Sequence, residues 1–318
     1  MKNPFVTNGY VSPEYFCDRE KETAKIVSLL TNENNIALIS PRRLGKTDLL
    51  RHCFGQPEIK EHYHTFIIDI YATSSVRDFV NVFGKAVLDE LRPKGKSVWG
   101  TFLNVLASLR SEITFDMNGQ PTWGIGLGAI TNPSATLDEI FSYLNNAGKP
   151  CLIAIDEFQQ ITKYADDPNI EAALRTHIQR CSNAHFVFSG SHRHLMGAMF
   201  TSPARPFYQS VTLINLPPIS VDKYAEFCLK HFERVSKHLD TLVVTELYER
   251  FNGITSYIQK VMNILFSMTG TGEICIPSMI DTAINDLLDF SADTYDALLY
   301  QMPEKQRIVF MAIAAEGK

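Results

Sequence analysis

Several things are scarce in this sequence, and each scarcity removes a class of protein. There is no basic excess: 30 Lys and Arg stand against 35 Asp and Glu, a formal charge of −5. Unspecific attraction to nucleic acid or anionic lipid is therefore not expected of the whole chain, although a local basic face remains compatible with that sum. No apolar run approaches the ~18 residues needed to cross a bilayer. Met1–Phe5 lead straight to Asn8, Glu14, Asp18 and Arg19, with no apolar core of a secretion signal. A soluble, cytoplasmic protein with no membrane partner is expected. Cysteine is sparse and scattered, at Cys17, Cys53, Cys151, Cys181, Cys228 and Cys275. That spacing excludes a C-x-x-C ligand pair and a dense disulfide framework. Cys151 and Cys228 lie inside apolar patterns, where a thiol acts as a small buried hydrophobe. The pairs His62/His64 and His192/His194 lack a third ligand at zinc spacing.

What remains is an ordinary globular composition, 45% apolar and 20% charged over 318 residues, enough for about two domains. Five short apolar runs read as buried strands: Asn35–Ser40, Thr65–Tyr71, Cys151–Asp156, His185–Gly190 and Val211–Leu216. Helical patterns lie between them at Thr47–Phe54, Val76–Leu91, Leu137–Leu144 and Ile170–Cys181. Such alternation predicts an α/β fold, a mostly parallel five-stranded sheet flanked by helices. Trp123–Gly128 superficially looks like a Gly-rich phosphate loop, but it lacks a preceding strand and a following Lys. A hairpin or edge strand inserted in the domain is the better reading.

After Pro217-Pro218 only helical patterns remain, at Val221–Val235, Leu242–Phe251, Tyr257–Met268, Ser278–Leu288 and Glu304–Glu316. The expected domains are 1–218 (α/β), 219–290 (a small all-α lid) and 291–318. The last helix is apolar at Ile308, Val309, Met311, Ala312 and Ile313, so a further domain beyond Lys318 is expected to cover it.

The sharpest chemical signal is Ile36–Leu50, an apolar strand, a short loop and a helix start carrying Gly45-Lys46-Thr47. That is the pattern of a P-loop. Backbone N–H groups of Ser40, Pro41–Leu44 and the helix start through Asp48 would surround phosphate oxygens, with the exception of the proline nitrogen. Gly45 lets the backbone come close, Lys46 brings a charge to the β/γ-phosphates, and the Thr47 hydroxyl can ligate Mg²⁺. Ser40 stands where the pattern has its first glycine, which the turn tolerates if that residue keeps a negative φ.

The second signal is Cys151–Phe158, a buried strand ending in Asp156-Glu157. Asp156 can hold Mg²⁺ through water, and Glu157 can polarise a water against the γ-phosphate. The alternative for Asp156 is a helix N-cap.

With both motifs in place, the chain resembles the AAA-like P-loop ATPases of the archaeal type, related to the STAND ATPases, over about residues 4–290. Phe16–Glu20 is similar to the family's apolar-apolar-Gly/Asp-Arg motif, which implies that Arg19 and the segment 1–30 lie near the adenine. Pro41–Thr47 is similar to its P-loop, and Phe188–Ser191 to a strand tip whose sensor side chain reads the γ-phosphate, here assigned to Ser189. Relatives carry Leu-Tyr-Gly-Arg before the fifth strand. Here Arg205–Ser210 puts Ser210 in the arginine's place, so an arginine finger falls to Arg205, Arg193 or a residue from elsewhere. The Gly-x-Pro of STAND proteins is Gly253-Ile254-Thr255, without the proline. Tyr295–Lys318 is similar to the opening helix of a winged-helix domain.

The resemblance implies an ATP-binding, Mg²⁺-dependent ATPase that acts as a conformational switch, with a protein partner or self-association. Catalytic roles fall to Lys46, Glu157, Ser189 and Arg205. The alternative is a DNA-binding regulator in which nucleotide only sets conformation and DNA is met through a winged helix. A P-loop kinase is a third reading, against which Asp156-Glu157 favours water as the acceptor. Of Arg42 and Arg43, one is a phosphate or interface contact or both are solvated loop charges, and Arg193, with His192 and His194, belongs to a γ-phosphate sensor region or to an exposed loop. Ser189 is either a sensor or a turn former, and Tyr257 and Gln259 either approach the nucleotide or belong to a helical core.

Overall fold

The structure, a computed structural model, describes residues 3–91, 113–115, 121–123 and 133–316. Contacts divide the chain into two compact units, Arg19–Pro217 and a second made of Met1–Asp18 with Pro218–Lys318.

In the first unit, α1 (Glu20–Thr31), β1 (Ile36–Ile39), α2 (Lys46–Phe54), α3 (Pro57–His62), β2 (His64–Asp69) and α4 (Val76–Glu90) follow one another. A two-stranded antiparallel hairpin, β3 (Ile113–Phe115) with β4 (Pro121–Trp123), comes next. The glycine-rich run from Gly124 to Gly128 lies outside the described residues. The unit continues through α5 (Pro133–Asn145), β5 (Cys151–Asp156), a 3₁₀ turn at Phe158–Lys163, α6 (Ile170–Arg180), β6 (Ala184–Gly190), α7 (Arg193–Thr201) and β7 (Thr212–Asn215).

The five main strands form one sheet in the order β2-β5-β6-β1-β7, every neighbouring pair parallel. Burial explains the order. All residues of β1, β5 and β6 are buried, whereas β2 and β7 show mixed patterns, as edge strands do when helices cover only part of them. All five expected strands are present to within a residue or two. On one face of the sheet Phe79, Phe83, Phe141, Phe186 and Phe188 join a continuous apolar core. Phe158 enters that core against Phe188, with ring centroids 4.5 Å apart, and against Phe207 at 5.4 Å. This anchors the 3₁₀ turn that follows β5. Helix α4 starts at Ser75, whose hydroxyl accepts the Asp78 N–H at 3.1 Å, an ordinary N-cap.

The second unit contains α8 (Val221–Glu233), β8 (His238–Leu239), α9 (Thr241–Arg250), α10 (Thr255–Met268), β9 (Ile274–Cys275), α11 (Ile280–Gln301) and α12 (Glu304–Ala315). Residues up to Asp18 group here, whereas the sequence places them with the sheet. The reason is Phe5, fully buried, whose ring lies within 5.6–6.1 Å of Phe227, Phe232 and Phe266. Asn263 Nδ2 donates to the Phe5 carbonyl at 2.6 Å. Position 290, expected to divide two domains, falls inside α11. No Gly or Pro interrupts Ile280–Gln301, and the helix runs on to Met302-Pro303. Helix α12 has no buried residue. Among the described residues no helix is long and apolar enough to cross a membrane.

Candidate functional site

Loops at the carboxyl ends of parallel strands form the usual binding crevice of an open α/β sheet. Here the loop Ser40–Gly45 leaves β1 next to the end of β6, and the Ser40 N–H donates to the Gly190 carbonyl at 3.3 Å. Ser40 is fully buried and is not among the positive-φ residues, so serine fits where the motif has glycine. The positive φ angles fall instead at Arg43 (70°) and Gly45 (82°). A Cβ built on Gly45 meets nothing within 4 Å. The loop therefore borders open space, and glycine is needed for conformation and for close approach.

Lys46 opens α2 and is only 7% exposed. Its Nζ donates to the Ser40 carbonyl at 3.4 Å. Burial lowers its pKa, Asp156 and Glu157 pull it back up, and Arg42 lowers it further. A buried ammonium whose hydrogen bond among the described residues is this long is suited to an anion. The Thr47 hydroxyl donates to Asp156 Oδ2 at 2.5 Å, so the two oxygens separated by a hundred residues of sequence meet. Hard oxygen donors of this kind fit Mg²⁺. Asp48, in the same turn, pairs with Arg51 at 3.6 Å, and burial raises its pKa. Leu44 is buried, whereas Pro41, Arg42 and Arg43 are exposed.

Glu157 leaves β5 with φ 54°. The Asp156 carboxylate accepts the Glu157 N–H at 3.0 Å. Glu157 Oε2 accepts from the Ser191 hydroxyl at 2.9 Å and from Gln159 Nε2. Arg42 Nε donates to Ser191 Oγ at 3.4 Å, and its guanidinium lies 5.6 Å from the Tyr71 ring centroid. The structure thus brings together Ser40–Asp48, Asp156 and Glu157, and adds Gln159, Ser191 and Tyr71, which the sequence reading did not assign.

Three more of the expected residues have clear surroundings. Ser189 is fully buried, and its hydroxyl has no partner among the described residues. The register Ile155↔Phe188, carried one residue further, puts Ser189 beside Asp156 on the same sheet face. The hydroxyl that meets Glu157 belongs to Ser191, beyond the strand end. Arg205 is ion-paired with Glu171 at the start of α6. Burial raises the Glu171 carboxyl, and Arg205 offsets part of that rise. Arg19 is 3% exposed, and its guanidinium donates to the Pro217 carbonyl at 2.7 Å and to Glu22 at 2.9 Å. It ties the first residue of this unit to the last. Arg193 is an exposed first residue of α7. In the helical unit, Gln259 Oε1 accepts from the Tyr224 hydroxyl at 2.5 Å, and the Tyr257 ring lies 5.8 Å from Phe251.

Comparison with known proteins gives a consistent picture. A family model described as an ATPase domain predominantly from Archaea matches residues 16–261. No curated protein matches the chain. Among solved structures, a Walker-type ATPase of Pyrococcus abyssi superposes with a TM-score of 0.63 at 18% identity, covering 94% of this chain and 79% of that one. The ORC1 protein of Aeropyrum pernix, solved in complex with DNA, gives 0.58 at 13% identity over 95% and 73%. The ORC2 protein of the same organism, solved as ADPNP–ADP complexes, gives 0.59 at 13% over 90% and 71%. At these identities the structural likeness speaks for the fold. The family model, matched over most of the chain, together with the loop, lysine and acidic strand end, places the protein in that predominantly archaeal ATPase family, as a P-loop ATPase.

Proposed function

We propose that the protein is an Mg²⁺-dependent ATPase that works as a nucleotide-driven conformational switch. The observation that carries this reading is the convergence of Lys46, the Thr47–Asp156 contact at 2.5 Å and Glu157 around the open space beside Gly45. Backbone N–H groups of Arg42–Asp48 and the α2 N-terminus bind the phosphates, and Lys46 supplies the charge that offsets theirs. Thr47 Oγ1 and Asp156 would hold Mg²⁺. When bound, that ion draws charge from the phosphate oxygens.

Glu157 is the general base. Its Oε1, which neither Gln159 nor Ser191 uses, takes a proton from water as the water oxygen bonds to the γ-phosphorus. The bond from that phosphorus to the bridging oxygen breaks, leaving ADP and inorganic phosphate. Ser189 or Ser191 reads the γ-phosphate. Arg205, held by Glu171, acts as finger toward a second copy or a partner. Arg19 supports the adenine side. Residues 219–290 act as the lid, in the manner of STAND-type switches.

Glu157→Gln tests the reading. It should keep Mg-ATP affinity and lose turnover by about 100-fold or more. Turnover at the parental rate would show that Glu157 is not the base. A change in solution scattering of Glu157→Gln on adding Mg-ATP tests the switch, and identical curves would refute it.

A second reading, DNA contact through a winged helix opening at Glu304–Ala315, draws on the exposed Ile308, Val309, Phe310, Met311 and Ile313. These side chains lie around most of the helix, an apolar surface that neighbouring elements would cover. Binding of duplex DNA that weakens with salt would support it, and no binding at low salt would refute it.

A further inference from the structure

Gln159 has a position that neither motif explains. It follows Asp156-Glu157 in the 3₁₀ turn and is 4% exposed, an uncommon state for a glutamine. One end of its amide is used, Nε2 donating to Glu157 Oε2. The other end, Oε1, is buried with no partner among the described residues. The backbone beneath it is fixed. Phe158 is held in the aromatic core, Thr162 Oγ1 donates to the Gln159 carbonyl at 2.8 Å, and Gln160 Nε2 donates to the Thr73 carbonyl at 2.9 Å.

The space for the amide comes from β6. A Cβ added to Gly190 would lie 2.4 Å from Gln159 Oε1 and 2.6 Å from Met196 Sδ. Gly190 is not among the positive-φ glycines, so its backbone does not require glycine. The missing side chain is needed for room. Burying an amide oxygen without a partner costs free energy, and the bond from the same amide to Glu157 offsets part of it.

We infer that Gln159 is a positioning residue for Glu157, orienting its carboxylate through Nε2, and that Gly190 lacks a side chain to admit that amide. The inference rests on Glu157 being the base, and it assigns to Gln159 no contact with nucleotide. Ser191 donates to the same oxygen, so two donors hold the carboxylate by Oε2 and neither uses Oε1.

The test compares steady-state ATP hydrolysis, Mg-ATP affinity and melting temperature for Gln159→Met, Gly190→Ala and the double variant. Gln159→Met keeps the packing and removes the hydrogen bond. It should lower kcat by about 10- to 100-fold, as a misaimed base does, with KM and affinity changed by less than about twofold. Gly190→Ala should lower kcat similarly, and the double variant should be no worse than the poorer single one, because both act through one amide. A parental kcat in Gln159→Met, or losses that multiply in the double variant, would overturn the inference. If Gly190→Ala fails to fold, Gln159→Met decides alone. Glu157→Gln separates the two levels. If it is inactive while Gln159→Met is parental, only the positioning role fails. If it turns over normally, the base assignment fails as well.

Discussion

Replacing Lys46 by methionine should move stability and nucleotide binding in opposite directions. The ammonium is nearly buried, and the one hydrogen bond it makes among the described residues, to the Ser40 carbonyl, is 3.4 Å long. Desolvation outweighs the attraction of Asp156 and Glu157, since the pKa is lowered. The charged form is therefore worse off in the folded protein than in the unfolded chain, and near neutral pH the charge costs stability. Methionine keeps most of the packing and removes that cost, while Asp156 and Glu157 keep the donors Thr47, Gln159 and Ser191, so the variant should be at least as stable as the parent. Each ~1 kcal/mol so gained would raise the midpoint by about 2–4 °C for a unit the size of Arg19–Pro217. Mg-ATP at a hundred times its dissociation constant should add about 2.7 kcal/mol to the parent and nothing to the variant. Thermal scans of both proteins, with and without Mg-ATP, measure all four states. A variant that still gains stability from Mg-ATP would refute the argument.

Other outcomes follow from the same geometry. Gly45→Ala puts a Cβ on a residue with φ 82° and should cost about 1–2 kcal/mol of stability. That Cβ would occupy the open side of the loop, so Mg-ATP affinity should fall more than about tenfold by calorimetry, and parental affinity would contradict this. Arg19→Ala strands the Pro217 carbonyl that Arg19 now serves and should cost about 1–3 kcal/mol. An unchanged urea midpoint would show that the contact is idle. Burial lowers the pKa of His52, His177 and His185 below the ordinary 6.5. The unfolded chain therefore binds protons more readily, and stability present above pH 6.5 should be lost as pH falls below it. Melting temperatures should drop between about pH 7.5 and about pH 5.5, less so in His177→Gln, and a flat profile would contradict the reasoning.

Much of the sheet unit was legible because its strands are continuous apolar runs covered on both faces. Leu38, Ile153 and Val187 all sit in such runs and all are fully buried. Strand order was not legible, since it depends on crossovers that leave no local pattern. Helix α1 escaped notice because it begins after two positive-φ residues, Asp18 and Arg19, with no side-chain cap. Helix α7 did so because Arg193–Thr201 is short and holds a glycine. The placement of Phe5 is set by partners more than two hundred residues away. In the site, the loop and acidic strand end were readable as spacing. Ser191 was not distinguished from Ser189, because only the sheet register shows that one stays beside Asp156 while the other passes the strand end to reach Glu157. Gln159 carried a signal in its spacing from Glu157, but its meaning depends on the empty place at Gly190.

Isothermal titration of the purified chain with Mg-ATP, beside Lys46→Ala, tests the central claim most directly. Heat that saturates near one nucleotide per chain in the parent, and is absent in the variant, is the predicted result. No heat in the parent, or equal heat in both, would contradict the account.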